Sequence, residues 1–195
     1  MKINLQLFDD FETLAVFGPV EILAKIEGAE LCYCSLEGGV IKSAQGTEII
    51  TSRLENVEPD SVLAVPGGRG TRSLVNEEDF LRHLLKAAEA SKYVLSICTG
   101  SALLAKTGIL DGKKATSNKK AFDWVTSLSG KVEWIRRARW VRDGKFYTSS
   151  GVSAGMDMAL GFVRDLYGQD VAEQAAQDIE YIWNADSDRD PFCKE

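Results

Sequence analysis

Short apolar runs alternate with longer amphipathic stretches along most of the chain. The apolar runs have the length of buried strands, and the stretches between them carry apolar residues at the spacing of a helix face. This alternation predicts an α/β fold, in which an open, mostly parallel sheet is sandwiched between helices. Strands are expected at 3–8, 29–36, 61–65 and 93–97, and helices at 13–25, within 71–91 and after Cys98 as far as Gly108.

The second half of the chain continues the same pattern with shorter elements. Arg142-Asp143-Gly144-Lys145 carries the Asp-Gly signal of a hairpin, so two strands are expected around it within 132–147. Residues 184–195 read as a polar, irregular tail, and since no linker interrupts the chain we expect one domain over 1–195. The remaining elements are a hairpin at 40–42 and 48–51, a strand at 114–117, and helices at 122–128, 156–167 and 171–182, the last with Asp170 as its N-cap.

Three segments should meet at one edge of this sheet. In open parallel sheets, sites form beyond the carboxyl ends of the strands. The loop 8–12, the turn Pro66-Gly67-Gly68 and the cysteine Cys98 each follow a predicted strand directly. We therefore expect any functional site to lie among these segments.

Cys98 stands between a strand and a helix, where a thiol has two possible roles. The free N–H groups and the dipole of a helix N-terminus stabilise an anion, so the pKa of this thiol is expected to fall below about 8.5. Thr99 can add a donor, Gly100 permits a close approach of the chain, and Gly67 and Gly68 can supply backbone donors to an oxyanion. The alternative is an inert thiol that ends a buried strand, and the spacing alone leaves both open.

A histidine partner for Cys98 is not expected. The only histidine, His83, lies on the amphipathic helix predicted within 71–91, where a half-buried packing role is expected. A catalytic Cys98 would therefore act with a carboxylate, a hydroxyl or the field of its own turn. This favours attack on an already electrophilic carbon, or oxidation of the thiol, over peptide hydrolysis, which needs a proton for a poor leaving group.

The composition excludes several classes of partner. The net charge of −6 argues against nucleic acid and anionic membranes, and no apolar run is long enough to cross a bilayer. The arginines in 136–139 are expected on the solvated face of a strand. The N-terminus lacks the apolar core and cleavage site of a signal peptide, so a cytoplasmic location is expected. In that reducing compartment the four cysteines are expected to be free thiols, and without a Cys/His cluster no metal site is expected.

Four motifs in this order resemble the ThiJ/PfpI superfamily. The resemblance runs from residue 3 to about residue 183. It implies a flavodoxin-like three-layer sandwich related to class I glutamine amidotransferases, a nucleophile-elbow cysteine at Cys98, and a homodimer. The motifs are Phe17-Gly18-Pro19-Val20-Glu21-Ile22-Leu23, Val65-Pro66-Gly67-Gly68, Ile97-Cys98-Thr99-Gly100-Ser101 and Gly151-Val152-Ser153-Ala154-Gly155-Met156-Asp157.

Within that superfamily, Cys-Thr-Gly is similar to the isocyanide hydratase branch and to the amidase-like domain fused to AraC-type regulators. No helix-turn-helix segment follows the last predicted helix, so no DNA-binding extension is expected. Two positions depart from the family pattern: Ala15 stands where isocyanide hydratases carry an aspartate and the redox-sensing branch a glutamate, and Asn118 stands where a histidine is frequent. Glu12, Asp10 and Glu21 are the nearby carboxylates that could replace the missing acid, and Glu12, nearly one turn before Ala15, is the one expected to share its face.

Three functions follow as hypotheses. The first is a cofactor-free enzyme that hydrates an isocyanide or a similar small electrophile through Cys98. The second is a redox or electrophile sensor, whose partner is an oxidant and whose thiol is modified without turnover. The third is a small-ligand module in which Phe11, Trp124, Trp134 and Trp140 line a pocket, although core packing is the more expected role of these four residues.

Overall fold

The computed structural model describes residues 1–193, and most of their strands form one eight-stranded sheet. The strands are β1 (Lys2–Gln6), β2 (Glu30–Ser35), β3 (Gly39–Lys42), β4 (Glu48–Arg53), β5 (Val62–Val65), β6 (Tyr93–Ser96), β7 (Lys114–Ala115), β8 (Glu133–Trp134), β9 (Trp140–Asp143) and β10 (Phe146–Ser149). The helices are α1 (Thr13–Leu23), α2 (Thr71–Leu74), α3 (Glu78–Ala90), α4 (Gly100–Thr107), α5 (Phe122–Ser127), α6 (Ala154–Tyr167) and α7 (Gln169–Asp178).

The sheet is mostly parallel and changes its direction of growth at β1. Its strand order is β3-β4-β2-β1-β5-β6-β10-β9, with antiparallel pairs only at its two ends. Because the chain moves from β1 to one side and later from β5 to the other, right-handed crossovers place the connecting helices on opposite faces. Helices α1, α6 and α7 pack together, and α4 packs against α2, α3 and α5. The predicted flavodoxin-like three-layer sandwich is confirmed.

The centre of the sheet is apolar because both of its faces are covered. All four residues of β5 and all four of β10 are buried. The edge hairpin β3–β4 instead leaves Val40 60% and Ile50 82% exposed. The carboxyl ends of β1, β5 and β6 therefore lie side by side in the best-packed part of the molecule.

Small residues allow helices α1 and α6 to approach each other and the sheet. A Cβ atom on Gly18 would lie 2.8 Å from Cγ of Met156, and one on Gly155 would lie 2.8 Å from Ile97 and 3.2 Å from Pro19. The segment after β10 is thus pressed against the strand that carries Cys98.

Three local predictions were wrong in detail. The helix expected within 71–91 is split into α2 and α3, since Glu77 is extended and Glu78 and Asp79 favour a new helix start. Helix α7 begins at Gln169 after Gly168, so Asp170 lies inside its first turn and is not the N-cap. The strand expected at 114–117 ends at Ala115 and pairs with the short strand β8 outside the main sheet. The hairpin predicted around Asp143-Gly144 is confirmed as β9 and β10.

The prediction that Arg139 belongs to a solvated strand face was wrong as well. Residues 136–137 form a turn, and Arg139 is buried. The segment 184–193 has no helix or strand, as expected, but it is docked on the body: the Arg139 N–H donates to the Ser187 carbonyl at 2.7 Å, and the Asp190 N–H to the Arg137 carbonyl at 2.7 Å. Across residues 1–193, we find no helix with the length and apolar character that a membrane span requires.

Candidate active site

Cys98 occupies a strained turn between β6 and α4. Its φ of 58° lies in the left-handed region that residues with a Cβ rarely adopt, as expected of a nucleophile elbow. The turn is held from outside, because the Cys98 N–H donates to the Ser150 carbonyl at 3.1 Å and Ser117 Oγ donates to the Cys98 carbonyl at 2.9 Å. The side chain is buried, with 6% of its surface exposed.

Glycines make this turn possible from the opposite side. A Cβ on Gly67 would lie 2.6 Å from the Thr99 nitrogen and 2.8 Å from Cβ of Cys98, and one on Gly100 would lie 2.9 Å from the Pro66 carbonyl oxygen. Gly68 has a φ of 143° and abuts the backbone of the loop after β1. We call residues 65–68 and 97–100 the elbow wall.

Thr99 ties the two halves of the elbow wall together. Its Oγ1 accepts hydrogen bonds from the Gly68 N–H and from Thr71 Oγ1, both at 3.1 Å. The Gly68 N–H is thereby engaged, and the Thr99 hydroxyl points to the turn and not to the sulfur. The part of Thr99 that faces the sulfur is its backbone N–H.

Three N–H donors surround the Cys98 sulfur. They are the backbone N–H groups of Thr99 and Val152 and the side-chain amide of Asn118. Asn118 Oδ1 accepts the Ala121 N–H at 3.0 Å, and this bond turns the NH₂ group toward the sulfur. The sequence pattern indicated Thr99 and Asn118; Val152 was missed as a donor, although its Gly-Val-Ser turn was visible as a motif.

The resting state of Cys98 differs from the expected one. Burial raises the pKa of the thiol above its ordinary value, the three donors lower it, and the negative charge of Glu12 raises it. Burial is the largest of these effects, so the prediction of a lowered pKa was wrong. Cys98 is a neutral thiol at pH 7, set among donors that would stabilise a thiolate once a base has removed its proton.

Glu12 reaches the site from the loop after β1. It is the residue before α1, and its N–H donates to the Gly67 carbonyl at 2.9 Å. Gln45 Nε2 donates to the Glu12 carboxylate at 3.0 Å and orients it. Ala15, on the first turn of α1, is 1% exposed and packs in the core, so the acid position of the resembling branches is filled by a methyl group.

A cavity of about 560 Å³ opens beside the donors to the sulfur. Asn118, Val152 and the turn around them form its inner end, and its outer part is lined by Lys119, Lys120, Arg136 and the tail residue Phe192. We call these three cations, with tail residues 190–193, the charged wall. None of the aromatic residues expected in a pocket lines this cavity, and Phe11 and Trp140 are buried in the core.

A buried ion-pair network holds the tail residues of the charged wall against the body of the protein. Arg139 bonds to Asp157 Oδ2 at 2.6 Å and lies 3.5 Å from Asp190 Oδ1. Lys119 Nζ lies 3.9 Å from Asp190 Oδ2 and donates to the Ala138 carbonyl at 2.6 Å. No periodic pattern signals this network, because its members come from four separate segments.

His83 takes no part in the site. It is half-buried on α3, its Nε2 lies 3.3 Å from Gln6 Oε1, and burial lowers its pKa. The half-buried position predicted for His83 on this helix is confirmed, and His83 is not among the residues around Cys98.

A buried cysteine in left-handed conformation, at the carboxyl edge of a parallel sheet and facing several N–H donors, defines a class: α/β proteins with a nucleophile-elbow thiol. Within that class, the chain belongs to the DJ-1/PfpI family, whose profile matches residues 1–165. The ThiJ/PfpI resemblance predicted from the motifs is confirmed.

Two relatives and one solved structure show how similar the chain is to known members. It is 31% identical over 182 residues to an isonitrile hydratase from Pseudomonas putida, covering 93% of this chain and 78% of that protein. It is 32% identical over 152 residues to a deglycase from Thermococcus kodakarensis, covering 76% of this chain and 89% of that protein. A ThiJ/PfpI family protein from Pseudomonas syringae superposes with a TM-score of 0.84 at 29% identity, covering 98% of this chain and 76% of that one. Homologues of this kind favour an enzyme.

Proposed function

We propose that this protein is a cofactor-free enzyme that adds water to isocyanides through Cys98. The observation that carries the proposal is the set of three N–H donors around a buried, strained cysteine that has a carboxylate, Glu12, in its field. Similarity to an isonitrile hydratase supports the choice of substrate class.

The first step forms a bond between Cys98 Sγ and the terminal carbon of R–N≡C. The thiol proton passes to Glu12 and from there to that carbon, giving the thioimidate R–N=CH–S–Cys98. The donors from Thr99, Val152 and Asn118 stabilise the sulfur while it carries negative charge. Because burial keeps the thiol neutral until the base acts, the nucleophile is formed only when Glu12 takes its proton.

The second step returns the enzyme to its starting state. Water adds to the thioimidate carbon, the C–S bond breaks, and the product is the N-substituted formamide R–NH–CHO. The overall reaction converts R–NC and H₂O into R–NH–CHO. It transfers no electrons and accounts for every proton. Asn118 donates and cannot act as a base, so Glu12 is the group assigned to proton transfer in both steps.

The experiment is a comparison of formamide formation by wild-type protein, Cys98→Ser and Cys32→Ser with an aryl isocyanide, followed by chromatography. We expect Cys98→Ser to lose about 10³-fold or more in rate, as nucleophile replacements do. Cys32 lies on β2 away from the site, so its replacement should leave the rate unchanged. A wild-type rate equal to that of Cys98→Ser would overturn the proposal.

A second candidate function uses the same donors. Three N–H groups directed at one sulfur also suit the oxygen atoms of a sulfinate, which favours a thiol oxidised by peroxide without turnover. Intact-mass analysis after mild peroxide should then show two added oxygens on wild-type protein and none on Cys98→Ser. Unmodified wild-type protein would remove this candidate.

The assembly and location remain predictions. A homodimer follows from the family resemblance alone, and light scattering behind a sizing column measures it directly. One domain over residues 1–195 and a cytoplasmic location likewise stay expectations from the sequence.

A further inference from the structure

The cavity beside Cys98 has a charge of one sign on its walls. Among residues 1–193, its lining includes three cationic side chains, Lys119, Lys120 and Arg136, and no aspartate or glutamate. The protein has a net charge of −6, so a cavity whose charged lining residues are all cations runs against its overall charge balance. The cavity joins the reaction centre directly, because Asn118 and Val152 both line it and donate to the Cys98 sulfur.

The three cations are not equally available to a ligand. The Lys119 ammonium already donates to Thr116 Oγ1 at 2.9 Å and to the Ala138 carbonyl at 2.6 Å, and it lies 3.9 Å from the Asp190 carboxylate, so both its donors and its charge are engaged within the protein. Arg136 is exposed, lies 4.5 Å from the centre of the Phe122 ring and pairs with Asp123. Lys120 is exposed and has no ion-pair partner in the part of the chain that the structure describes.

We infer that the cavity binds the anionic end of the substrate, a carboxylate or a group of the same charge, against Lys120 and Arg136 while the electrophilic carbon lies at Cys98. The inference rests on the site of the proposed function and adds the substrate class: a small electrophile that carries a negative charge. A volume of about 560 Å³ accommodates a substituent the size of a benzoate. Arg136 offers a planar fork that matches a carboxylate, and Lys120 offers an uncompensated charge.

A pair of alkylating agents tests this without any turnover. Iodoacetate and iodoacetamide have nearly the same size and form the same bond to a thiolate, but only the former is anionic. The ratio of their alkylation rates at Cys98, read by peptide mass spectrometry at pH 7, measures how the cavity receives negative charge.

Matched variants locate the effect. Lys120→Gln should lower the iodoacetate-to-iodoacetamide ratio about threefold, as the loss of one partly screened charge would. Asp123→Asn should raise the ratio, because it frees Arg136 from its partner. Lys25→Gln makes the same charge change just after α1, at the end of that helix opposite Glu12, and should leave the ratio unchanged. A ratio insensitive to Lys120 and Asp123, or equally sensitive to Lys25, would overturn the inference.

An equilibrium measurement tests the same inference without depending on alkylation of the buried thiol, which is expected to be slow. At equal ionic strength, benzoate should raise the Tm of the wild-type protein more than benzamide, and Lys120→Gln should remove the difference. Equal shifts in wild-type protein would contradict the inference. Neither experiment requires hydration, so failure of isocyanide turnover would leave this inference standing, and failure of the charge preference would leave the hydratase proposal standing.

Discussion

The two sides of the site at Cys98 are built differently. The elbow wall consists mainly of backbone groups, and the charged wall consists mainly of charged side chains. The elbow wall consists of glycines, carbonyl oxygens and N–H groups in contact, with Gly67 placed so that any Cβ would meet the cysteine itself. The charged wall consists of long side chains and a docked tail, held by ion pairs between distant segments. Close packing defines the elbow wall, which has no room for an added atom. Ion pairs define the charged wall, so its stability depends on whether each charged residue keeps its partner.

This difference assigns separate tasks to the two walls. The elbow wall and the donors around the sulfur determine where the nucleophile stands and what stabilises it. In the inference drawn above, the charged wall selects the substituent that lies beside it. Variants that separate packing from charge should therefore affect the walls differently.

The largest expected effect is loss of the cation that holds the charged wall. Arg139→Met leaves Asp157 and Asp190 as buried carboxylates without their shared guanidinium, which should lower the free energy of unfolding by about 3–5 kcal/mol. Arg137→Met, two positions away and exposed, should change it by less than about 0.5 kcal/mol. Urea unfolding measures both, and equal losses would mean that the ion pairs are not what holds this wall.

The elbow wall should be broken by a single methyl group. Gly67→Ala places a carbon 2.6 Å from the Thr99 nitrogen, and the overpacking should cost about 1–3 kcal/mol in the free energy of unfolding. Gly130→Ala, at a site where no atom lies within 4 Å of the new carbon, is the matched control and should be nearly neutral. Comparable losses in urea melts would show that the effect comes from the substitution type and not from the elbow.

Lys119 of the charged wall should make the free energy of unfolding depend on pH. Burial lowers the pKa of Lys119 to about 8, below its ordinary value of 10.5. Between these two values the unfolded chain holds more protons than the folded one, so this group makes the unfolding free energy rise with pH, by at most about 1.4 kcal/mol per pH unit.

From pH 8 to pH 10, the free energy of unfolding of the wild-type protein should therefore increase relative to that of Lys119→Met. Lys120→Met, at the exposed neighbour, should show no such shift. Urea unfolding across this range checks the prediction, and parallel stability curves for wild type and Lys119→Met would contradict it.

The smallest expected effect is that of Glu12, in the loop after β1, on the titration of Cys98. The charge of Glu12 raises the pKa of Cys98, so Glu12→Gln should move the midpoint of Cys98 alkylation by iodoacetamide to lower pH. Glu21→Gln, further along α1, should leave the midpoint in place. If Glu12 is also the base of the proposed reaction, isocyanide hydration should fall in the same variant although its thiolate forms more readily.

Most of the fold was accessible from periodicity. Buried strands such as β5 and amphipathic helices such as α3 are set by residues close in the chain, and their alternation specifies the layered sheet. The separate pairing of β7 with β8 was not accessible, because it depends on a partner strand that local spacing does not reveal. The break between α2 and α3 has a local signal in Glu78 and Asp79, which the apolar periodicity alone does not register.

The same division runs through the site. The sequence by itself determined that a cysteine follows a buried strand and that glycines stand before and after it, because residue type and the strand–turn–helix order are local properties; it offered Glu12 and Asn118 only as candidates. Only the tertiary structure decided that Val152 faces the sulfur, that burial keeps the thiol neutral, and that Asp190 of the tail joins Arg139 and Lys119 beside the cavity. Burial and charge balance are sums over segments far apart in the chain, so they exist only once those segments have met.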